Sequence, residues 1–168
     1  MNFESIRSNK LLVKQKFDCG QEELNTFLKS YAYKNDLHGI GKTYLAKEND
    51  IICGFITICS CSVEFKEITS KIKEKLPKYP IPAIKIARLA VDKKYQNKGI
   101  GKYLLKNALQ KIVQAAEIVG VYLVLVDAKE NATGFYEKFG FQKLKDNSLT
   151  YFLPIQTIQS AIKKNDPR

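Results

Sequence analysis

The 168-residue sequence holds a single histidine, His38, and its four cysteines, Cys19, Cys53, Cys59 and Cys61, form no C-x-x-C pair. That leaves no zinc site of the usual ligand spacing, and no metal is expected. The cysteines read as small buried apolar residues of a reducing compartment, and a thiol nucleophile activated by His38 has no local support. Long apolar runs are missing too: 51–61 and 118–126 fall well short of the roughly 20 residues a membrane helix needs. The opening "MNFESIRSNK" lacks the apolar core of a signal peptide. A cytoplasmic protein without a membrane partner is the expectation. Acidic residues are scarce, 17 against 28 basic ones, for a net charge of +11. Such a surface favours polyanions, although many lysines merely solvate helix faces.

What is present suits one domain spanning 1–168, of a size that buries roughly two thirds of its unfolded surface. In "FDCGQEELNTFLKSYAYKND", Leu24, Phe27, Leu28 and Tyr31 recur at helical spacing behind the acidic Glu22 and Glu23, which predicts an amphipathic helix. "TYLAKE" and "IICGFITICSCSVEF" read as an antiparallel pair, so a helix followed by a hairpin is expected to open the fold. "KEITSKIKEKLPKYPIP" reads as a basic insertion over one sheet edge, extended at its proline-rich end. "AIKIARLAV", a helix over Ile100–Ala116 with Ile100, Leu104, Ala108, Ile112 and Ala115 on one stripe, and the apolar "VYLVLVDA" make a βαβ unit. "NATGFYEKFGF" predicts a short helix stopped by Gly140, "LTYFLPI" a last strand whose Pro154 suits an edge or an end, and the remainder a frayed polar tail. The fold class is α/β, a mixed sheet with a parallel βαβ step near its middle.

"GIGK" occurs twice, at 39–42 and 99–102. A phosphate turn needs a strand delivering the chain, glycines that free the backbone, and a helix whose first N–H groups meet the anion. Only the second copy lies between a strand and a helix. Gly99 and Gly101 leave its amides unobstructed, and Gln96, Lys98 and Lys102 add side-chain donors. The first copy runs from helix to strand, and its "GKT" fails the P-loop pattern because Asp36 stands where a glycine is required. The second is no dinucleotide fingerprint, since Leu104 replaces the third glycine. An ordinary glycine turn remains compatible with the spacing.

"QNKGIG" resembles the Q/R-x-x-G-x-G/A signature of the GNAT (Gcn5-related N-acetyltransferase) family, with "RLAVD" before it and "FYEKFGF" after it at the family's separation. The resemblance implies the acetyl-CoA-dependent acetyltransferase fold. The backbone of Leu89, Ala90 and Val91 would pair with the pantetheine arm, and the amides of Asn97, Lys98, Gly99, Ile100, Gly101 and Lys102 would cradle the pyrophosphate. A backbone N–H there, taken as that of Ala90, is the candidate oxyanion donor. Tyr136 sits where the family keeps a tyrosine near the cofactor sulfur. A phenol of pKa about 10 can protonate a leaving thiolate, so Tyr136 is the candidate general acid, with packing among Phe135, Phe139 and Phe141 as its structural alternative. The family's common asparagine falls here at Lys129, which leaves Asn131 as the nearby cofactor contact. No general base is evident: Asp127 and Glu130 read as strand-end charges and Asp92 as a cap.

Further segments, "FDCGQEELNTFL", "GIGKTYLA", "KLPKYPIPAIKIARLAVDKKYQNKGIG", "VDAKENATGFYEKFGF" and "YFLPIQTI", are similar to the GNAT toxins of bacterial toxin–antitoxin modules over nearly the whole chain. That resemblance implies acetylation of the amino group of aminoacyl-tRNA and neutralisation by a ribbon-helix-helix antitoxin; homodimerisation is left open. An α-amino group titrates at about 7.7–8.0, and an adjacent ester lowers that, so a missing base matters little. Lys42, Lys71, Lys73, Lys75, Lys78, Lys93 and Lys94 are the candidate contacts to tRNA phosphates. The alternatives are an acetyltransferase for a small-molecule or protein amine and a non-catalytic binding module of the same fold.

Overall fold

A computed structural model describes residues 1–68, 73–74, 76–145 and 148–164. Among them lies a seven-stranded sheet of order β1-β2-β3-β4-β5-β7-β6. Its strands are β1 (Asn2–Ser5), β2 (Lys42–Glu48), β3 (Ile51–Val63), β4 (Ile81–Val91), β5 (Leu123–Asp127), β6 (Gln142–Lys143) and β7 (Thr150–Pro154). The chain divides into two compact units, one of Met1–Cys59 with Ala87–Lys111 and the other of Ser60–Ile86 with Ile112–Arg168.

In the first unit β2 and β3 form the expected antiparallel pair, with Leu45 opposite Phe55 and a turn in which Asn49 takes a left-handed φ of 54°. The hairpin does not follow a first helix directly, as the sequence suggested. β1 precedes everything and pairs antiparallel with β2, Phe3 opposite Ala46; four residues carry too little alternation to announce a strand. The predicted amphipathic helix is interrupted. Helix α1 (Glu22–Thr26) passes through a π-helical turn (Phe27–Tyr31), closed by the Ala32 N–H donating to the Phe27 carbonyl, into α2 (Ala32–Leu37). The extra residue rotates the apolar stripe by one position. Ala32 is buried where Tyr31 was expected, and Tyr31 is exposed. The core of this unit gathers Ile6, Val13, Phe27, Leu28, Leu45, Phe55 and Ala90.

Helix α3 (Ile100–Ala116) starts and ends where its apolar spacing places it, burying Ile100, Leu104, Ala108 and Ile112, with Ala115 half-buried. It connects β4 to β5, which run parallel from Ala83 opposite Leu123 to Ile86 opposite Val126. β4 continues five residues beyond that ladder, to Val91.

In the second unit Leu123, Val124, Leu125 and Val126 are all buried, as their unbroken apolarity requires. The basic segment before β4 joins β3 and β4, which are neighbours inside the sheet, and Ile68 near its start is buried in a core with Val63, Ile81, Leu123 and Phe152; its residues 69–72 and 75, on which the expected course over a sheet edge depends, lie outside the described residues. Pro154 ends an inner strand, with β6 outside it, where its missing N–H interrupts nothing. As far as Lys164 the expected frayed tail is instead helical: α5 (Ile155–Lys164) buries Ile155 and Ile158, three apart on one helix face; residues 165–168 lie outside the described residues.

Candidate active site

The first unit carries the glycine turn. β4 delivers the chain to Asp92, whose N–H donates to the Cys53 carbonyl (2.9 Å). The Asp92 carboxylate accepts the Lys94 N–H (2.9 Å) and the Asp18 N–H (3.0 Å), tying the turn to the N-terminal segment; this is the capping role. The Gln96 amide donates to the carbonyls of Cys19 (3.1 Å) and Val91 (3.0 Å), so in this arrangement it braces the turn instead of reaching outward. Asn97 (φ 60°) and Gly99 (φ 80°) then take left-handed conformations, which bend the backbone into the start of α3. The Tyr103 N–H donates to the Gly99 carbonyl (3.0 Å), leaving the N–H groups of Ile100, Gly101 and Lys102 without an acceptor inside the helix. No acidic residue occupies that first turn, and nothing lies within 4 Å of where a Gly99 Cβ would be. Lys98 sits with its ammonium 5.5 Å from the Tyr95 ring centroid. The result is an exposed turn with three free helix amides and nearby ammonium groups, a combination that suits a phosphate group.

In the same unit, on β4, Arg88 lays its guanidinium over the Phe27 ring at 3.8 Å. A cavity of about 800 Å³ opens between residues 13–20 and α1, lined by Lys14, Lys16, Lys29 and Lys93 among others. Sequence reasoning passed over Arg88, Lys14, Lys16 and Lys29, because only tertiary folding brings these residues into the unit that bears the turn. Of the lysines it did select, Lys93 is bound to Asp18 (2.8 Å) and Lys42 to Asp36 (3.2 Å). Lys73 reaches the Lys66 carbonyl (3.3 Å) and the Phe65 ring, Lys78 and Lys94 are exposed, and Lys71 and Lys75 lie outside the described residues.

The second unit carries Tyr136 on α4 (Thr133–Glu137). Gly140, at φ 88°, closes that helix: its N–H donates to the Glu137 carbonyl and the Phe141 N–H to the Tyr136 carbonyl, a Schellman arrangement. Tyr136 is 6% exposed, edge-on to Phe135 (5.1 Å) and Phe141 (5.6 Å). Burial pushes its phenol up to about 12, so it stays protonated at any ordinary pH. Asn131 is exposed in the preceding 3-10 turn, as is Glu130. Burial pulls the Asp127 carboxyl upward, but Lys85 and the Thr150 hydroxyl outweigh it and hold the pKa below the usual value, which makes Asp127 a poor proton acceptor. Burial pushes the Cys19 and Cys53 thiols up, away from the thiolate a nucleophile needs. Among the described residues no His, Cys, Asp or Glu cluster is placed to hold a metal, and no helix is long and apolar enough to cross a membrane.

A strand, an open glycine turn and a helix N-terminus in a mixed α/β sheet define an acyl-CoA-type acyltransferase fold, and the chain belongs to the acetyltransferase (GNAT) domain family, whose sequence pattern matches residues 15–156. It is 32% identical over 147 residues to the tRNA-acetylating toxin of Mycobacterium tuberculosis, spanning 87% of this chain and 88% of the relative. Among solved structures it resembles AtaT complexed with acetyl-methionyl-tRNAfMet (TM-score 0.84, 26% identity, 96% of this chain and 98% of that one). It also resembles a mutant AtaT toxin bound to the C-terminus of the antitoxin AtaR and acetyl-CoA (TM-score 0.80, 25% identity, 96% and 97%).

Proposed function

We propose that this chain, acting as one domain in the cytoplasm, transfers acetyl from acetyl-CoA to the amino group of aminoacyl-tRNA and is the toxin of a pair with a ribbon-helix-helix antitoxin. The observation that carries the acceptor is the likeness, over nearly the whole chain, to a structure holding acetylated aminoacyl-tRNA. The cofactor assignment rests on the open turn, where Asn97 and Gly99 fold left-handed and three helix amides are free.

In this reading the amides from Asn97, Lys98, Gly99, Ile100, Gly101 and Lys102, with the ammonium groups of Lys98 and Lys102, hold the pyrophosphate. Leu89, Ala90 and Val91 align the pantetheine arm along β4. Bound acetyl-CoA supplies an acyl carbon activated as a thioester. The Ala90 N–H is the donor toward the carbonyl oxygen as negative charge develops on it. Asn131 is a further contact to the cofactor.

Tyr136 supplies the proton donor for the sulfur. With its pKa at about 12, outright transfer to a free thiolate of pKa about 8.5 is uphill by roughly 5 kcal/mol. Its hydroxyl therefore acts by donating a hydrogen bond while charge gathers on sulfur; the neutral amine attacks the acyl carbon, the carbon–sulfur bond breaks, and the proton that the newly acylated nitrogen sheds balances the departing thiolate. An α-amino group beside an ester is largely unprotonated near neutral pH, so the chain needs no strong base. Asp127, held ionised by Lys85 and Thr150, is not assigned that role.

The test is transfer of labelled acetyl from acetyl-CoA to bulk charged tRNA, with uncharged tRNA and spermidine as parallel acceptors. Label on charged tRNA alone supports the assignment. Label on spermidine alone, or on nothing, overturns it.

A further inference from the structure

Successive side chains of a strand point to opposite faces, so Arg88 and Ala90 share one face of β4. Ala90 packs there in the core with Phe27 and Phe55. The Arg88 guanidinium carbon lies over the Phe27 ring, 3.8 Å from its centroid, and that ring stacks in turn on Phe55 with centroids 6.0 Å apart and planes 27° from parallel. Stacking of this kind fixes the guanidinium plane while leaving its N–H edges free.

Arg88 makes no hydrogen bond or ion pair with another described residue. Arg7, in the same unit, is by contrast clamped onto the Asp36 carboxylate (2.6 Å) and carbonyl (2.6 Å). Among the described residues no buried side-chain nitrogen lacks a partner, so the free donors of Arg88 reach solvent. A positioned, uncompensated, planar donor fork is suited to a phosphate, which it can bind through two parallel hydrogen bonds. Lys14, Lys16 and Lys29, which line the neighbouring cavity and form no ion pair among the described residues, add positive potential on the same unit.

We propose that Arg88 is a positioning residue that grips a backbone phosphate near the aminoacylated end of the RNA, so that the amine is presented to the Leu89, Ala90 and Val91 segment. The inference rests on the aminoacyl-tRNA reading. It assigns to one side chain, held by Phe27, a contact that loose surface lysines cannot provide with fixed geometry.

The experiment measures kcat/KM for charged tRNA as a function of salt, alongside turnover of a phosphate-free ester of the same amino acid, for wild type, Arg88→Met and Arg88→Lys. The Met variant keeps the packing stem without the charge. It is expected to lose at least tenfold in kcat/KM on charged tRNA, mainly through KM. Its log–log salt slope should flatten by roughly 0.7–0.9, the value of one phosphate contact. Loss on the ester is much smaller, and Arg88→Lys regains the salt slope and part of the rate. Equal losses on both acceptors with an unchanged slope, or no loss at all, overturn the proposal in favour of a packing role. A wild-type protein inactive on charged tRNA overturns the aminoacyl-tRNA reading itself, and this inference with it.

Discussion

Gly54 of β3 and Ala90 of β4 approach so closely that a Cβ on Gly54 would lie 2.7 Å from the Ala90 carbonyl oxygen and 2.9 Å from Leu104 Cδ1. Backbone cannot yield as a flexible side chain can. Gly54→Ala is therefore expected to destabilise the protein by about 1–3 kcal/mol, the cost of overpacking a filled site. Urea unfolding checks it: the midpoint falls while the slope is unchanged.

Gly99 poses the opposite problem, since its surroundings are empty and only its φ of 80° demands glycine. Gly99→Ala is expected to cost roughly 1–2 kcal/mol of backbone strain and to weaken acetyl-CoA binding, as the turn relaxes away from its left-handed shape. Asn97→Gly, at φ 60°, keeps the binding. Titration calorimetry with acetyl-CoA separates the two variants.

Tyr136→Phe is expected to lower kcat about 10²-fold while leaving the acetyl-CoA dissociation constant and the melting temperature nearly unchanged. With the phenol at about 12, the wild-type pH–rate profile has no descending alkaline limb from Tyr136 below about pH 11. The rate rises as the acceptor amine loses its proton and then levels. A loss of stability equal in weight to the loss of rate would make Tyr136 a packing residue only.

The pH dependence of stability is expected to report Asp36. Burial pulls its pKa upward, but the Thr43 N–H, Arg7 and Lys42 outweigh that and leave it below the usual carboxylate value. A depressed pKa contributes stability that is complete above the unfolded-state value and is lost as pH falls through the folded one. Wild type should exceed Asp36→Asn in melting temperature at neutral pH, and the gap should close on acidification below about pH 4. A gap independent of pH would contradict the assignment.

Much of this architecture was legible in the residues. The stripe from Ile100 to Ile112 and the polar turn before it set the bounds of α3, and the unbroken apolarity of Leu123 to Val126 marked an inner strand. The π-helical turn at Phe27 was not legible, because one inserted residue leaves the composition of the stripe intact while rotating it. β1 and α5 were too short or too polar to stand out. At the site, the glycine turn is local in sequence and was readable. The bracing bond of Gln96 to Cys19, the stacking of Arg88 on Phe27 and the close approach at Gly54 join distant segments, and no local pattern encodes them.

The central claim, that the acetylated atom is the amino nitrogen of the amino acid carried by tRNA, is tested most directly by following labelled acetyl after mild alkaline cleavage of the aminoacyl ester. The account predicts that all the label leaves the RNA as N-acetyl amino acid. Label that stays with the RNA after deacylation would place the acetyl group on the nucleic acid and contradict it.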